Sequence, residues 1–332
     1  MALPTNQSTS DTRTIRSLLA STIENTMQSG VIQDTVFDAT PLTRRLRESG
    51  QIKMVDGGER LRISLDSAKN STAKSYTDLD PLDVTRQQTQ TAAFYAWKQY
   101  SVSIVISGRE IRINKGNTSK LWDLANGRMV NGVKSLIDKI STGLYTDGTG
   151  NGSLDITGLE AAIETTPGTV AYASVPVTNT TWQNKVATSV GAAAVNLVPN
   201  LRSVYNQASQ GSEGFDSRPN LVMTTRSIHE SYEAQVQPQV RYQPEGVSDL
   251  GRQDLTFKGV PIVWDDFCTS GTAYVLNLNH LYLFVHPDAN FSETDEGMQK
   301  PVNQDGLVTQ ALFMGNLVVD NRRKQGKLQG IT

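Results

Sequence analysis

The stretch of sequence that decides the fold lies near the end of the chain. It reads GVPIVWDDF (259–267), YVLNLNHLYLFVHP (274–287) and NQDGLVTQALFMGNLVVDNRRKQGKL (303–328). A glycine-proline strand turn is followed by an apolar strand pair and then by a closing β segment that ends in a basic run. This order of elements predicts a β-rich C-terminal third, against which the rest of the chain can be placed.

The composition is that of an ordinary globular protein. The 332 residues allow two domains at about 150 residues each. Lysine plus arginine (31) nearly balances aspartate plus glutamate (33), so any contact with DNA is expected to be weak. The one cysteine, Cys268, cannot form an internal disulfide. No apolar run reaches the ~18 residues of a membrane span and no signal peptide is recognisable, so cytoplasmic synthesis is expected.

The first 50 residues predict an arm that contains one helix. Between Thr12 and Met27 the apolar residues fall at three- and four-residue intervals, Asp11 can cap the start and Gly30 can end it. The apolar face of this helix can pack on its own subunit, or it can reach a neighbouring subunit or a scaffolding partner. Both alternatives stay open at the level of sequence.

Residues 51–99 predict an unusually polar β-hairpin. Leu61, Ile63 and Leu65 alternate with polar residues, which is the pattern of a half-buried strand. The predicted return strand, residues 84–91, has almost no apolar face. A two-stranded hairpin is marginal alone in water, so this one is expected to lack a core and to need another surface. The alternative is a disordered surface insertion.

An apolar strand and a long helix follow. Val102, Ile104 and Ile106 alternate with polar residues, and a helical stripe then runs from 119 to 144, roughly 40 Å at about 1.5 Å per residue. Residues 148–158 are glycine-rich and predict a joint. The elements expected beyond it are a helical stretch at 182–208 interrupted at Pro199, a strand at 220–224, a helix through Ile228, Tyr232 and Val236, and strands at 257–264 and 274–285.

This succession of elements, over nearly the whole chain, resembles the major capsid proteins of tailed bacteriophages, the Hong Kong phage type of shell protein. The resemblance implies an α+β capsid fold in which the last segment pairs with the strand near Val102. Its expected parts are an N-terminal arm (1–50), an extended loop formed by a β-hairpin that lies over the adjacent subunit (51–99), a peripheral domain with a spine helix and a β-sheet (100–150 and 306–332) and an axial domain (151–305).

The same resemblance implies a structural protein rather than an enzyme. It would assemble with itself as hexamers and pentamers into the icosahedral head of a virion, around double-stranded DNA, after synthesis in the host bacterial cytoplasm. A portal and a decoration protein are further expected partners. Only about eleven residues precede the predicted arm helix and the chain starts with Met1, so a separate scaffolding protein is expected rather than a fused one. The main alternative is an encapsulin-like nanocompartment shell; a portal or vertex component and a soluble hydrolase are further alternatives.

Nine basic residues are the candidates for contacts. The inter-subunit contact candidates on the expected loop are Arg60, Arg62, Lys69, Lys74 and Arg86. The tight C-terminal cluster consists of Arg322, Arg323, Lys324 and Lys327. This cluster predicts a contact to DNA in the lumen, salt bridges across a subunit contact, or a solvated strand end.

No catalytic, cofactor-binding or metal site is predicted. His280 and His286 are expected on one face of a strand with Asp288 nearby, but a zinc site needs a third or fourth ligand. The run 147–155 resembles a calcium loop but lacks its final glutamate, and Cys268 has no basic neighbour to lower its pKa.

Some relatives of the resembled family join their subunits through lysine–asparagine isopeptide bonds. Lys69 and Lys74 lie on the expected loop, and Asn303 and Asn316 are among the many asparagines. Residue type alone identifies no reacting pair, so a noncovalent shell is expected.

Overall fold

The computed structural model describes residues 40–66, 68–78, 80–114, 118–210, 218–240, 255–293 and 299–332. The helix predicted between Thr12 and Met27 lies outside these residues. The described helices are α1 (Pro41–Glu48), α2 (Gly108–Ile113), α3 (Thr118–Tyr145), α4 (Gly150–Ser153), α5 (Leu159–Ala162), α6 (Ala193–Ala208) and α7 (Arg226–Val240). The described strands are β1 (Ile52–Met54), β2 (Arg60–Asp66), β3 (Gln90–Ala96), β4 (Lys98–Ser107), β5 (Lys185–Ala187), β6 (Leu221–Thr224), β7 (Thr256–Phe257), β8 (Val260–Trp264), β9 (Thr272–Leu276), β10 (Leu281–Glu293), β11 (Gly306–Val319) and β12 (Gly326–Gln329).

One sheet has four strands in the order β1-β10-β11-β4. β11 pairs antiparallel with both β10 and β4, and in the second pair Leu307 lies opposite Ile106 and Ala311 opposite Val102. This confirms the prediction that the closing β segment returns to the strand near Val102. The sheet therefore joins parts of the chain that are far apart in sequence.

The long helix α3 packs on this sheet. Buried side chains recur along it every three or four residues, among them Ala125, Met129, Val133, Leu136, Ile140 and Leu144. Ala125 and Met129 share one apolar cluster with Ile104 and Ile106 of β4. The predicted helix at 119–144 is confirmed, with one more residue at each end.

The hairpin β2–β3 departs from its prediction in two ways. The return strand is Gln90–Ala96, so most of the polar run 84–91 is outside the strand. The prediction that the hairpin lacks a core is also wrong, because Leu61 lies opposite Tyr95 and both are buried in the main core. The Tyr95 hydroxyl also donates a hydrogen bond to the Val319 carbonyl at 2.6 Å. The base of the hairpin is therefore part of its own subunit.

A second sheet has six strands in the order β5-β12-β9-β6-β8-β7. Helices α6 and α7 cover one face, where Ala273 and Val275 of β9 join their apolar cluster. Tyr274 and Leu276 point to the other face and belong to the main core. Because β9 is covered on both faces, all five of its residues are buried.

Two predicted elements have different boundaries in the structure. The helix expected over 182–208 begins only at Ala193, and Pro199 lies inside it without ending it. Proline removes a backbone donor there, but Leu197 and Leu201 are buried against the sheet, which stabilises the helix through tertiary packing. The strand expected over 274–285 is divided into β9 and β10 by the turn Leu278–His280.

Glycines shape the predicted joint after α3. Gly148 has φ 78°, and a Cβ atom there would lie 2.9 Å from the carbonyl oxygen of Ile156. A Cβ atom on Gly158 would overlap the carbonyl oxygen of Gly143 near the end of α3. Both positions therefore require glycine, which lets the chain turn closely against the helix end.

The last residues of the chain leave the four-stranded sheet. After the turn Arg322–Lys324, β12 pairs with β5 and β9 in the six-stranded sheet. Residues 306–332, expected to belong to the peripheral domain, thus contribute strands to both sheets, and the division into domains stays a prediction. None of the described helices is long and apolar enough to cross a membrane.

Candidate functional site

Residues 67–89, between β2 and β3, form what we call the projecting segment. The structure describes all of them except 67 and 79, and none of the described ones is buried. Three apolar side chains are strongly exposed: Tyr76 (64%), Leu82 (62%) and Val84 (92%). Exposed apolar side chains concentrated in one short stretch are typical of a surface that contacts another molecule.

Hydrogen bonds give the projecting segment a local shape. Asp80 Oδ2 accepts from the backbone N–H of Thr77 (3.1 Å), and the backbone N–H of Asp80 donates to the Thr77 carbonyl (3.0 Å). The Lys74 ammonium donates to the carbonyl of Pro81 across this turn (3.3 Å). The end of the segment is therefore a closed turn rather than an extended strand.

The five contact candidates on the hairpin are all exposed. Arg60 and Arg62 lie on the outer face of β2, and Lys69, Lys74 and Arg86 lie in the projecting segment. Exposure is what an inter-subunit contact requires, and the contacts themselves stay a prediction.

A cleft of about 410 Å³ lies at the base of the projecting segment. We call it the basic cleft. Its ionisable lining residues are Asp66, Lys69, His280, Asp320, Arg323 and Lys324. The structure thus brings Lys69 together with Arg323 and Lys324, two residues of the C-terminal cluster.

One carboxylate of the basic cleft, that of Asp320, already has partners within the subunit. Asp320 lies 2.7 Å from Nδ1 of His280 and accepts a hydrogen bond from the Tyr282 hydroxyl at 3.0 Å. Burial, and then the charge of Asp320, raise the pKa of Tyr282 to about 12. Burial and the nearby charge of Arg323 lower the pKa of Lys185.

The C-terminal basic cluster is not an exposed cluster. Three of its four side chains are buried inside the subunit: Arg322, Lys324 and Lys327. The Lys327 ammonium lies 2.5 Å from Oε1 of Glu160. Arg322 Nη2 lies 3.1 Å from Oε1 of Glu164, without hydrogen-bond geometry. The sequence predicted a basic cluster that is available for contacts with DNA, another subunit or solvent. The structure corrects this prediction, because three of the four side chains are buried and Arg323 is the one that is partly exposed.

The partners Glu160 and Glu164 were missed by the sequence analysis. The signal was present, because they stand four residues apart in LEAAIE (159–164), an otherwise apolar stretch. Two acids on such a stretch indicate buried basic partners, but the sequence does not say which ones.

The two histidines predicted on one face do not meet. His280 pairs with Asp320, whereas His286 lies 3.8 Å from Asp56 and 4.0 Å from Asp288. Asp56, His286 and Asp288 offer ligand atoms within 4.8 Å of one another, a set that could hold a divalent cation. However, His286 Nδ1 already accepts a hydrogen bond from the backbone N–H of Asp288 at 3.2 Å, and the carboxylates of Asp56 and Asp288 lie nearest to different ring nitrogens, so the set is not arranged around one free nitrogen.

The acidic residues of the loop that resembles a calcium site already have partners. Asp147 accepts hydrogen bonds from the backbone and hydroxyl of Thr149, at 3.0 and 2.8 Å. Asp155 lies 3.3 Å from the Lys139 ammonium. These carboxylates point to different partners and form no common cage.

Two side chains that could in principle react covalently, Cys268 and Asn316, are buried inside the subunit. Burial, and then the charge of Asp265, raise the pKa of the Cys268 thiol to about 12, which keeps it protonated. Asn316 accepts from the backbone N–H of Thr157 (3.1 Å) and donates to the Ala96 carbonyl (2.8 Å). Neither side chain is presented to a neighbouring molecule.

Comparison with known proteins identifies the fold. No family model matches the chain, and no curated protein matches it either. A chain of the cyanophage A-1(L) capsid is similar in structure, with 16% identity, a TM-score of 0.62 and coverage of 86% of this chain and 93% of that one. The SrpI encapsulin of Synechococcus elongatus PCC 7942 has 10% identity, a TM-score of 0.53 and coverage of 86% and 87%. A chain of the satellite phage P4 procapsid has 11% identity, a TM-score of 0.50 and coverage of 92% and 91%.

The chain therefore has the fold of the tailed-phage capsid proteins, a fold shared by the encapsulin. The α+β fold and the resemblance inferred from the order of elements are confirmed. At these identities the likeness concerns the fold, and function has to be argued from the surfaces of the subunit.

Proposed function

We propose that this chain is the major capsid protein of a tailed phage. The observation that carries the proposal is the projecting segment, which on a capsid fold exposes Tyr76, Leu82 and Val84 to another molecule. Copies of the chain form hexamers and pentamers, which close into the icosahedral head of the virion around double-stranded DNA. The role is structural, and the chain catalyses no reaction.

The principal partner is the chain itself. A separate scaffolding protein is a further partner, and the similar P4 procapsid supports this because it includes a size determination (Sid) protein. A portal and a decoration protein complete the head, which assembles after synthesis in the host bacterial cytoplasm. Contact with the packaged DNA is weak and nonspecific, because the formal net charge is −2 and most of the C-terminal basic cluster is buried.

The hairpin candidates act in this proposal as contacts between subunits. Arg60, Arg62, Lys69, Lys74 and Arg86 are exposed, and they lie on or beside the segment that reaches a neighbour. Arg323 is the remaining candidate from the C-terminal cluster.

An encapsulin-like shell is the second candidate function. The similarity to the SrpI encapsulin, which was solved as a holo complex, favours this function. It covers 86% of this chain, the same share as the cyanophage capsid. Both functions require self-assembly, and they differ in what the shell encloses.

Two measurements test these proposals. Light scattering and electron microscopy of the purified protein should show capsomers or closed shells, and a strictly monomeric species at all salt and protein concentrations would contradict both functions. Particles isolated from their native source should then protect double-stranded DNA from nuclease. Particles that contain a cargo enzyme in place of DNA would replace the phage capsid by the nanocompartment.

A further inference from the structure

We propose that Asn151 is a site of spontaneous deamidation, at which the chain converts its own asparagine into aspartate and isoaspartate without an enzyme. The modification is an intramolecular succinimide reaction between Asn151 and the backbone of Gly152. It goes beyond the proposed function, because it depends on the joint after α3 and requires no assembly.

The reaction needs an asparagine whose next backbone nitrogen can reach its side chain. The deprotonated backbone nitrogen of Gly152 attacks Cγ of Asn151, a new C–N bond closes a five-membered ring, and the side-chain nitrogen leaves as ammonia. Water then opens the ring, with no change in oxidation state. Cleavage of the new bond gives aspartate, whereas cleavage of the original peptide bond gives isoaspartate, in which the chain runs through the former side chain. Glycine favours ring closure because it has no side chain to obstruct it.

The sequence contains three Asn-Gly pairs, and the structure separates one of them from the other two. The pairs at 126–127 and 131–132 lie inside α3, a regular helix of 28 residues. The third pair lies in α4, whose four residues do not form a regular helix. The φ and ψ angles are 51° and 45° at Asn151 and 67° and 34° at Gly152, which is left-handed backbone. The three pairs therefore share a dipeptide and differ in backbone structure.

Backbone structure, rather than exposure, distinguishes the pairs. Asn131 and Asn151 are both exposed. Ring closure requires rotation about ψ of the asparagine until the next backbone nitrogen lies against Cγ. In α3 this rotation breaks helical hydrogen bonds and opens the middle of a long helix. At Asn151 it moves exposed chain only, since residues 149–154 are all exposed, and a Cβ atom built on Gly152 would meet nothing within 4 Å.

The two products change the joint after α3 in different ways. Both place a carboxylate at residue 151 in place of a neutral amide. Isoaspartate also adds one carbon to the backbone between Thr149 and Ser153, whose carbonyl and N–H are hydrogen-bonded at 3.1 Å. The carbonyl of Ser153 accepts from the Lys98 ammonium at the start of β4. Isoaspartate therefore lengthens the backbone where the joint is attached to the four-stranded sheet, outside the buried core.

Peptide mass spectrometry of the full-length chain tests this site. Unassembled subunits are incubated at neutral pH in heavy-oxygen water and then digested in ordinary water, so that the label marks only the deamidation that preceded digestion. Trypsin cleaves after lysine and arginine and places the three pairs on separate peptides, residues 121–128, 129–134 and 140–185. Fragment spectra locate the label within each peptide, and isoaspartyl methyltransferase identifies isoaspartate. A parallel incubation in urea gives the rates for the unfolded chain.

In the folded subunit, Asn151 should deamidate at least about tenfold faster than Asn126 or Asn131, because the reaction in α3 must wait for the helix to open. In urea the three pairs should react at rates within about threefold of one another, since they share the same dipeptide. The rate at Asn151 should rise with pH, because the backbone nitrogen of Gly152 loses its proton before it attacks.

Two variants complete the test. Asn151→Gln should remove the isoaspartyl signal from the peptide 140–185, since a longer side chain closes a ring more slowly, and the matched control Asn131→Gln should leave that signal unchanged. Both variants should melt at the wild-type temperature, because both side chains are exposed.

Two results would overturn the assignment. If Asn151 reacts no faster than Asn131 in the folded subunit, the backbone of the joint does not select the site. If the isoaspartyl signal of the peptide 140–185 survives Asn151→Gln, the reaction occurs at another residue. Neither result affects the proposed function, which is decided by whether the wild-type chain assembles.

Discussion

The buried pair formed by Lys327 and Glu160 carries a large predicted effect on subunit stability. The Lys327 side chain is 0% exposed, its ammonium lies 2.5 Å from Oε1 of Glu160, and it also donates to the Thr165 hydroxyl at 3.1 Å. Glu160→Ala leaves this charge buried with Thr165 as its remaining described hydrogen-bond partner. Removing one member of a buried pair typically costs about 3–5 kcal/mol. Because 29% of the Glu160 side chain is exposed, we expect the free energy of unfolding to fall by an amount near the lower end of this range, about 3 kcal/mol.

For a chain of 332 residues such a loss corresponds to a melting temperature lower by roughly 4 °C, because the unfolding entropy is about 2.1 cal/mol/K per residue. Circular dichroism of unassembled subunits during heating and in urea measures it. Glu48→Ala is the control, because the Arg44–Glu48 pair is exposed and should be worth at most about 1 kcal/mol. Combining Glu160→Leu with Lys327→Met should recover part of the stability, since no charge is then buried, whereas the buried Tyr274 hydroxyl still loses its hydrogen bond to Glu160. If Glu160→Ala lowers the free energy of unfolding by no more than Glu48→Ala does, water solvates the Lys327 ammonium and its charge is not left buried.

Three further predictions concern assembly and the core. Deleting residues 68–80 should leave a folded subunit and impair shell closure, since none of the described residues deleted is buried; loss of the circular dichroism signal would show that they belong to the core. Leu317→Asp should abolish soluble subunits, because Leu317 is 0% exposed in β11. Truncating a core side chain typically costs ~2–5 kcal/mol, and burying an unpaired charge adds to this cost. A soluble variant that assembles would contradict the placement of this strand. Mature particles boiled in detergent should release a single band near the monomer mass, because no set of a lysine, an asparagine and a carboxylate is identifiable in the sequence and Asn316 is held by hydrogen bonds inside its own subunit. A surviving ladder of multimers would instead implicate Lys69 or Lys74.

The sequence predicted those parts of the fold that depend on periodic patterns. The apolar residues at helical spacing in α3 and the alternating pattern around Ile104 predicted these two elements correctly, because one face of each element is buried. The return strand of the hairpin was misplaced because the run 84–91 contains three threonines, which favour strands, whereas the register is set by the pairing of Leu61 with Tyr95. Propensity does not determine register when the partner strand supplies the buried face.

The basic cleft and the fate of the C-terminal cluster could not be predicted. The cleft is formed by residues from separate parts of the chain, including Lys69, His280 and Arg323, and periodicity gives no information about such convergence. Lys327 looked like a surface residue because lysine is rarely buried unless it is paired. Its partner, Glu160, lies in another element, so the pair is recognisable only in the folded chain.

The most direct test of self-assembly is a cryo-electron microscopy reconstruction of particles formed by this chain. We expect a closed icosahedral shell of hexamers and pentamers, with the projecting segment of each subunit lying on the adjacent one. A shell in which each projecting segment folds back on its own subunit, or a preparation that contains only monomers, would contradict it.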